Sequence, residues 1–324
     1  MSDLISFHGN SALKKQCIER IEKYRDSRWL NPVMMATWEP EHSMCTPMGA
    51  LVESADLNDF ESVTGIPSGL ALFHQALVGV AAVSIPNQAF KETLHNAPPV
   101  FVLPDAIKEH WTAWLEAMEV GGKVPDLFAR ALTWIMRDLL SADHPVAPLP
   151  SSVRTQISTV VQLFESELDA QVVTGQQWTA ARKRCVEMTD AAAVGDGQSA
   201  FVRPIAEFLE SVCWSWSGDY EEPLQSLRSL AYGVTGVLAE QLLSPADREV
   251  IAGQRRAMDQ YMVEAQKDPK FDPHAFFQQS EELKVYWGFE FQSVLANQKL
   301  QTTPLVGGRM LAGLVECIER YQSK

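Results

Sequence analysis

Apolar residues recur at helical spacing through most of the chain. The first such stretch runs from about Ser11 to Arg28, with lysines and glutamates on its polar face and an apolar face made by Leu13, Cys17, Ile18, Ile21 and Tyr24. A period near 3.6 residues predicts an amphipathic helix with one side in the core. The most apolar run, Gly69 to Ile85, carries His74 and Gln75. It falls short of the ~20 residues that cross a bilayer, so we expect a buried core helix there.

Prolines and glycines punctuate these stretches as helix boundaries. Proline is favoured in the first helical turn, where its missing N–H costs nothing. We therefore expect helices to begin near Pro67, Pro86, Pro104, Pro245, Pro273 and Pro304. Glycine commonly follows the last turn, which predicts helix ends at Gly65, at Gly121 and Gly122, and at Gly175. Gly307 and Gly308 precede the last predicted helix, where small residues favour close helix packing.

Strand patterns are almost missing from the sequence. The run Pro99 to Leu103 is the only short β-like piece, and with no obvious partner it is interpreted as an extended loop. The remaining pattern predicts an all-α fold, a multi-helix bundle or an irregular helical-hairpin array of about a dozen helices.

The segment Ala142 to Pro150 is the strongest break in the helical pattern. It holds three prolines, which exclude a helix. We expect it to connect an N-terminal helical region, 1–141, to a C-terminal helical region, 151–324; the alternative is that the two regions pack as one domain.

Composition narrows the classes of partner. The net charge is −14, from 41 acidic and 27 basic residues, so the surface repels phosphate backbones and anionic lipid heads. We expect no nucleic-acid or membrane partner, and a protein partner of basic character if there is one. The five cysteines show no CxxC or metal-type spacing. Unpaired cysteines in apolar patterns, together with a polar N-terminus, favour the cytoplasm.

Candidate chemistry collects in the irregular stretch from Trp29 to Thr46. Carboxylate, imidazole and thiol groups come together there with an aromatic ring, on the residues Trp38, Glu39, Glu41, His42 and Cys45. Such groups can bind a ligand or support nucleophilic chemistry, with His74 and His110 as candidate partners from elsewhere in the chain. The simpler interpretation is a loop anchored by Trp38 and Cys45, with its charges in water.

Common catalytic and cofactor signatures are missing from the sequence. There is no HExxH or GxSxG motif and no phosphate-binding loop. We therefore predict no catalytic residues, no metal and no cofactor.

Two functions remain as hypotheses. The first is a non-enzymatic acidic protein-interaction module, in the manner of bacterial immunity proteins that inhibit a basic partner. That analogy is one of general class. It predicts a contiguous acidic surface, for which the best candidates are Glu207, Glu210, Asp219, Glu221 and Glu222. The alternative is an enzyme or small-molecule binder with a pocket between helices near residues 29–46.

Overall fold

The computed structural model describes residues 4–26, 30, 36–42, 44–86, 100–192, 197–214, 221–268 and 270–322. These residues are mainly helical, which confirms the all-α prediction. The chain divides into two compact units. Unit 1 comprises Met1–Ala82, Leu103–Thr235 and Thr303–Lys324, and unit 2 comprises Val83–Val102 and Gly236–Thr302.

The helices are, in chain order, α1 (Ser11–Asp26), α2 (Pro47–Val52), α3 (Leu57–Thr64), α4 (Ser68–Val80), α5 (Asp105–Lys108), α6 (His110–Ala117), α7 (Leu127–Asp138), α8 (Ser151–Leu168), α9 (Gly175–Ala191), α10 (Val202–Val212), α11 (Glu221–Gln241), α12 (Pro245–Lys267), α13 (Pro273–Gln279), α14 (Glu281–Trp287), α15 (Phe289–Thr303) and α16 (Arg309–Gln322). Four short strands accompany them: β1 (Trp38–Glu39), β2 (Met44–Cys45), β3 (Val83–Ile85) and β4 (Val100–Val102). Each strand pair, β1 with β2 and β3 with β4, is antiparallel.

In unit 1, α4 and α16 each pack against several other helices. Helix α4 packs against α2, α3, α7 and α16, while α16 also packs against α6 and α7. Phe73 of α4 meets Phe128 of α7 edge to face, with ring centroids 5.6 Å apart. His74 and Gln75 are buried with the apolar residues of α4. This confirms that the apolar run forms a core helix, although its last residues turn away into β3.

Glycines allow α16 to approach its neighbours closely. A Cβ atom at Gly313 would lie 2.2 Å from the Trp134 ring of α7, so no larger residue fits there without a shift. The α-helical run is interrupted by a π-helical turn over Pro304–Gly308. In that turn Gly307 lies against Ala81 and Gly308 against Ile107. The close packing predicted for Gly307 and Gly308 is therefore confirmed.

The helices from α7 to α10 pack in sequence order. Helix α7 contacts α8, α8 contacts α9, and α9 packs along α10. The proline-rich segment between α7 and α8 lies inside unit 1, and its side chains at His144, Val146 and Leu149 are buried. The expectation that 1–141 and 151–324 form separate regions concerns independent folding, and it stays a prediction.

Unit 2 has a small apolar core of its own. Ile251 of α12 packs with Phe291 and Leu295 of α15, and Ala239 and Leu243 complete the cluster. Helix α14 lies against α12, where Gly253 faces the side chain of Glu282. Tyr261 is surrounded by the rings of Phe271, Phe276 and Phe277, each in an edge-to-face contact.

Four boundary expectations were wrong. Gly121 and Gly122 were expected to end a helix, but α6 already ends at Ala117. The run Pro99 to Leu103 was expected to be a loop, but its residues Val100–Val102 form β4 and pair with Val83–Ile85. Gly175 was expected to end a helix, but it begins α9, and α8 ends at Leu168. The reason is the capping box of Thr174 and Gln177, which satisfies the first N–H groups of α9. Pro304 lies inside a continuous helical run instead of starting a helix.

Within the described ranges, no single helix is both long and apolar enough to cross a membrane. Helices α3 and α4 meet the length and composition requirement only as a pair, which is bent by 114°.

Candidate functional site

The predicted site residues from Trp38 to Cys45 form a small hairpin. Trp38 pairs with Cys45 and Glu39 with Met44, and Pro40–His42 make a 3-10 turn between the strands. Thr46 holds the base of the hairpin, because its hydroxyl accepts hydrogen bonds from the N–H groups of Thr37 at 3.1 Å and Gly49 at 3.3 Å. The second bond caps α2, so the hairpin is fixed to the start of a helix.

One side of the hairpin belongs to the core of unit 1. Cys45 is fully buried beside Tyr24 and Ala50. The Trp38 ring meets the Tyr24 ring edge to face at 5.2 Å. Burial raises the pKa of the Cys45 thiol to about 11, because a thiolate would lose its hydration there. At neutral pH Cys45 is therefore a protonated core residue and a poor nucleophile.

The other side of the hairpin faces the solvent and carries its charged groups. His42 Nδ1 lies 3.3 Å from Glu39 Oε2 and 3.8 Å from Glu41 Oε1. The His42 side chain is 70% exposed. The structure thus brings Glu39, Glu41 and His42 together, places Cys45 in the core and leaves Trp38 half-buried against it. In the part of the chain that the structure describes, no group of three or more His, Cys, Asp or Glu side chains is arranged to hold a metal ion.

His74 and His110, the expected partners of this loop, contact each other through α4 and α6. His74 Nε2 donates to the His110 carbonyl oxygen at 3.2 Å, and its ring stacks on Trp114 with centroids 5.0 Å apart. Burial lowers the pKa of His74 to about 4, which keeps its imidazole neutral. Three buried ring nitrogens of α6, in His110, Trp111 and Trp114, have no hydrogen-bond partner among the described residues.

A groove that the sequence did not predict lies in unit 1, where the start of α7 meets the end of α8. Its volume is about 400 Å³, and its lining residues are Asp126, Ala129, Phe164, Glu167, Leu168 and Ala170. We call it the α7–α8 groove. Helix α8 stops there because Ala170 takes a left-handed backbone conformation, with φ at 56°.

The two carboxylates of the α7–α8 groove are held by neutral donors. Trp178 Nε1 donates to Glu167 Oε1 at 2.8 Å, and the indole is itself packed edge to face on Phe164 at 5.3 Å. Tyr321 Oη donates to Asp126 Oδ2 at 3.3 Å. Such donors orient a carboxylate without cancelling its charge.

One cation already lies near the α7–α8 groove. Arg130 Nη2 is 3.9 Å from Asp126 Oδ2, the outer limit of an ion pair, and its guanidinium lies 4.4 Å above the Tyr321 ring. The Asp126 side chain remains 48% exposed. The groove therefore presents two oriented carboxylates beside the half-buried Leu168, which suits a ligand with an aliphatic stem and a cationic end.

The acidic surface expected on Glu207, Glu210, Asp219, Glu221 and Glu222 falls partly outside the described residues. Asp219 and the side chain of Glu221 lie in that part of the chain. Glu207 forms an ion pair with Arg203 on the same helix, with Arg203 Nε 2.8 Å from Glu207 Oε1. That pair reduces the charge which Glu207 offers to a partner.

Comparisons of the chain with protein-family models, with curated proteins and with solved structures find no match.

Proposed function

We propose that this protein is a non-enzymatic, acidic protein-interaction module that binds a lysine- or arginine-rich segment of another protein. The observation that carries the proposal is the α7–α8 groove, whose lining includes the carboxylates of Asp126 and Glu167 and the side chain of Leu168. Its volume of about 400 Å³ lies within the ~300–1,000 Å³ typical of ligand pockets.

The chemistry of the groove matches a basic side chain in both of its parts. The methylene groups of lysine or arginine pack against Leu168, while the cationic end reaches the carboxylate oxygens. Hydrogen bonds to charged groups contribute about 1.5–3 kcal/mol each where they are shielded from water, and about 1 kcal/mol or less where they stay exposed. Because Trp178 and Tyr321 already orient the two carboxylates, little side-chain entropy is lost on binding.

The charge of the whole chain supports the same kind of partner. A net charge of −14 attracts a basic protein over distances of about a Debye length and accelerates their encounter. Inhibition of a basic partner, as in the general class of immunity proteins, is a form of this function that needs no catalytic group in the chain.

The alternative, an enzyme or small-molecule binder near residues 29–46, has less support. It needs a nucleophile or a ligand side chain that is open to solvent. Cys45 is fully buried and its pKa is raised to about 11, while His42 and its two glutamates lie in water.

Affinity capture with matched variants tests the proposal. The tagged chain is used to capture proteins from its source cells, in parallel with Asp126→Asn/Glu167→Gln and with the control Asp190→Asn/Asp259→Asn. The control removes the same charge at two exposed positions outside the groove. We expect a basic protein that the wild type and the control retain and the groove variant loses. Capture that is unchanged by the groove variant would refute the proposal.

A further inference from the structure

The Asp126 end of the α7–α8 groove contains a cation of the chain itself. Arg130 lies one helical turn after Asp126, and its Nη2 is 3.9 Å from Asp126 Oδ2. The guanidinium also lies 4.4 Å above the Tyr321 ring. Tyr321 Oη donates to the same Asp126 oxygen at 3.3 Å, so one side chain of α16 contacts both members of the pair. Arg130 is therefore held beside Asp126 in the unbound protein.

The ion pair between Arg130 and Asp126 is loose. Its separation of 3.9 Å is well beyond the about 2.7–2.9 Å of a charge-assisted hydrogen bond. Arg130 Nε is buried and has no hydrogen-bond partner among the described residues. The Asp126 side chain is 48% exposed, and ion pairs at such exposed positions contribute little. Arg130 thus reduces the charge that Asp126 offers, but a ligand cation can take its place.

The other carboxylate of the α7–α8 groove is in a different state. Trp178 Nε1 donates to Glu167 Oε1 at 2.8 Å, and an indole N–H carries no net charge. In the part of the chain that the structure describes, no Lys, Arg or His side chain forms an ion pair with Glu167. Glu167 is also exposed. Its full charge is therefore available to a ligand, while that of Asp126 is partly neutralised.

We propose that Arg130 masks Asp126, so that Glu167 is the first contact of a bound basic side chain and Arg130 limits the affinity of the α7–α8 groove. The inference rests on the proposed function, since it concerns the same groove and the same class of ligand. A ligand cation that approaches Asp126 meets the like charge of Arg130, and the repulsion offsets part of its attraction to the carboxylate. Removing the charge of Arg130 should therefore strengthen binding.

A pentalysine titration of the ¹⁵N-labelled full chain tests the masking. It is run at physiological salt, where attraction beyond about 8 Å is screened. We expect Arg130→Met to bind about threefold more tightly than the wild type, because it keeps an aliphatic stem but loses the competing charge. The matched control is Arg137→Met, which removes the same charge from the exposed pair with Glu165 on the same helix and should bind as the wild type does.

The direction of this change is diagnostic. Damage to the fold would weaken binding, so a gain in affinity reports on the competing charge alone. Equal affinities of Arg130→Met and Arg137→Met, or weaker binding by Arg130→Met, would overturn the masking.

Single carboxylate variants test the inequality of Asp126 and Glu167. We expect Glu167→Gln to weaken pentalysine binding about fivefold and Asp126→Asn less than about twofold. In the Arg130→Met background, Asp126→Asn should also cost about fivefold, because Asp126 is then unmasked and the two substitutions are not additive. The same loss from Asp126→Asn in both backgrounds would contradict the masking.

The masking and the proposed function fail in different ways. If pentalysine binds neither the wild type nor Arg130→Met, the proposed function is refuted, and the masking with it. If pentalysine binds the groove of the wild type and Arg130→Met brings no gain, the masking is wrong and the proposed function stands. Should Arg130→Met fail to fold, the Nε–H signal of Arg130 in the wild type decides. We expect it to shift as pentalysine saturates the groove, and a constant Arg130 signal beside a shifting Trp178 signal would overturn the masking.

Discussion

The guanidinium of Arg309 donates two parallel hydrogen bonds to the carboxylate of Asp138, from Nε to Oδ2 at 2.7 Å and from Nη2 to Oδ1 at 2.6 Å. Asp138 ends α7 and Arg309 begins α16, so the pair joins two helices that are far apart in the chain. The Asp138 side chain is only 9% exposed. Arg309 also pairs with Asp143, whose pKa is lowered to about 2 by hydrogen bonds from Ser141 and Arg309.

Replacing Arg309 with methionine should destabilise unit 1. The change leaves the buried Asp138 carboxylate without its cation, and breaking such a pair typically costs about 3 kcal/mol or more. The free energy of unfolding, measured with urea, checks this. The control is Arg203→Gln, which removes an exposed ion pair to Glu207 and should cost less than about 1 kcal/mol. Equal losses in the two variants would mean that the Arg309 pair does not stabilise the fold.

His74 should make the protein less stable in mild acid. The pKa of His74 is about 4 in the folded protein and 6.5 in the unfolded chain, so protons bind preferentially to the unfolded chain. The contribution of the neutral His74 imidazole to the free energy of unfolding is fully present above about pH 6.5. It decreases as the pH drops towards 4, by about 3 kcal/mol in total. We expect His74→Gln to remove this slope, since carboxylates titrate equally in both proteins. Parallel pH profiles of unfolding free energy for the wild type and the variant would contradict the assignment.

Gly313→Ala should destabilise the contact between α16 and α7. The new Cβ would lie 2.2 Å from the Trp134 ring, so helix or ring must shift. Overpacking of this kind costs about 1–3 kcal/mol. Gly175→Ala, where a Cβ meets nothing within 4 Å, is the matched substitution in the same unit and should change stability by about 0.5 kcal/mol or less. A neutral Gly313→Ala variant would show that the two helices do not pack this closely.

Limited proteolysis tests whether 1–141 and 151–324 are independent regions. Cleavage confined to Ala142–Pro150 that leaves two stable fragments would support the division. We expect this segment to resist cleavage under native conditions, because His144, Val146 and Leu149 are buried and proteases need a locally open chain.

Local chemistry made much of the fold predictable. The start of α12 depends on Ser244, Pro245 and Asp247. Ser244 Oγ accepts a hydrogen bond from the Asp247 N–H, and Pro245 lies in the first turn. The capping box of Thr174 and Gln177 is also a short-range signal, but Gly175 within it is equally typical of a helix end. Helix starts depend on short-range hydrogen bonds, so such signals can be identified from sequence.

Long-range pairing was beyond the sequence pattern. Strand β4 pairs with β3, which lies earlier in the chain. The two-residue alternation of side chains within one strand does not predict the position of its partner strand. The α7–α8 groove likewise depends on contacts between residues that are far apart in the chain. Asp126 directly precedes α7 and Glu167 lies near the end of α8, and only the packing of α7 on α8 brings them together. The acidic run near Glu165, Glu167 and Asp169 was the available signal, but it does not identify the opposite wall.

The most direct test of the proposed function is a titration of the α7–α8 groove itself. Pentalysine is added at low salt to the ¹⁵N-labelled full chain, and the indole N–H signal of Trp178, which donates to Glu167, reports on the groove. We predict a saturable shift of this signal and at least about tenfold weaker binding in Asp126→Asn/Glu167→Gln, the loss of one charge-assisted contact. The control Asp190→Asn/Asp259→Asn should bind as the wild type does. Equal affinity of the wild type and the groove variant would contradict the account.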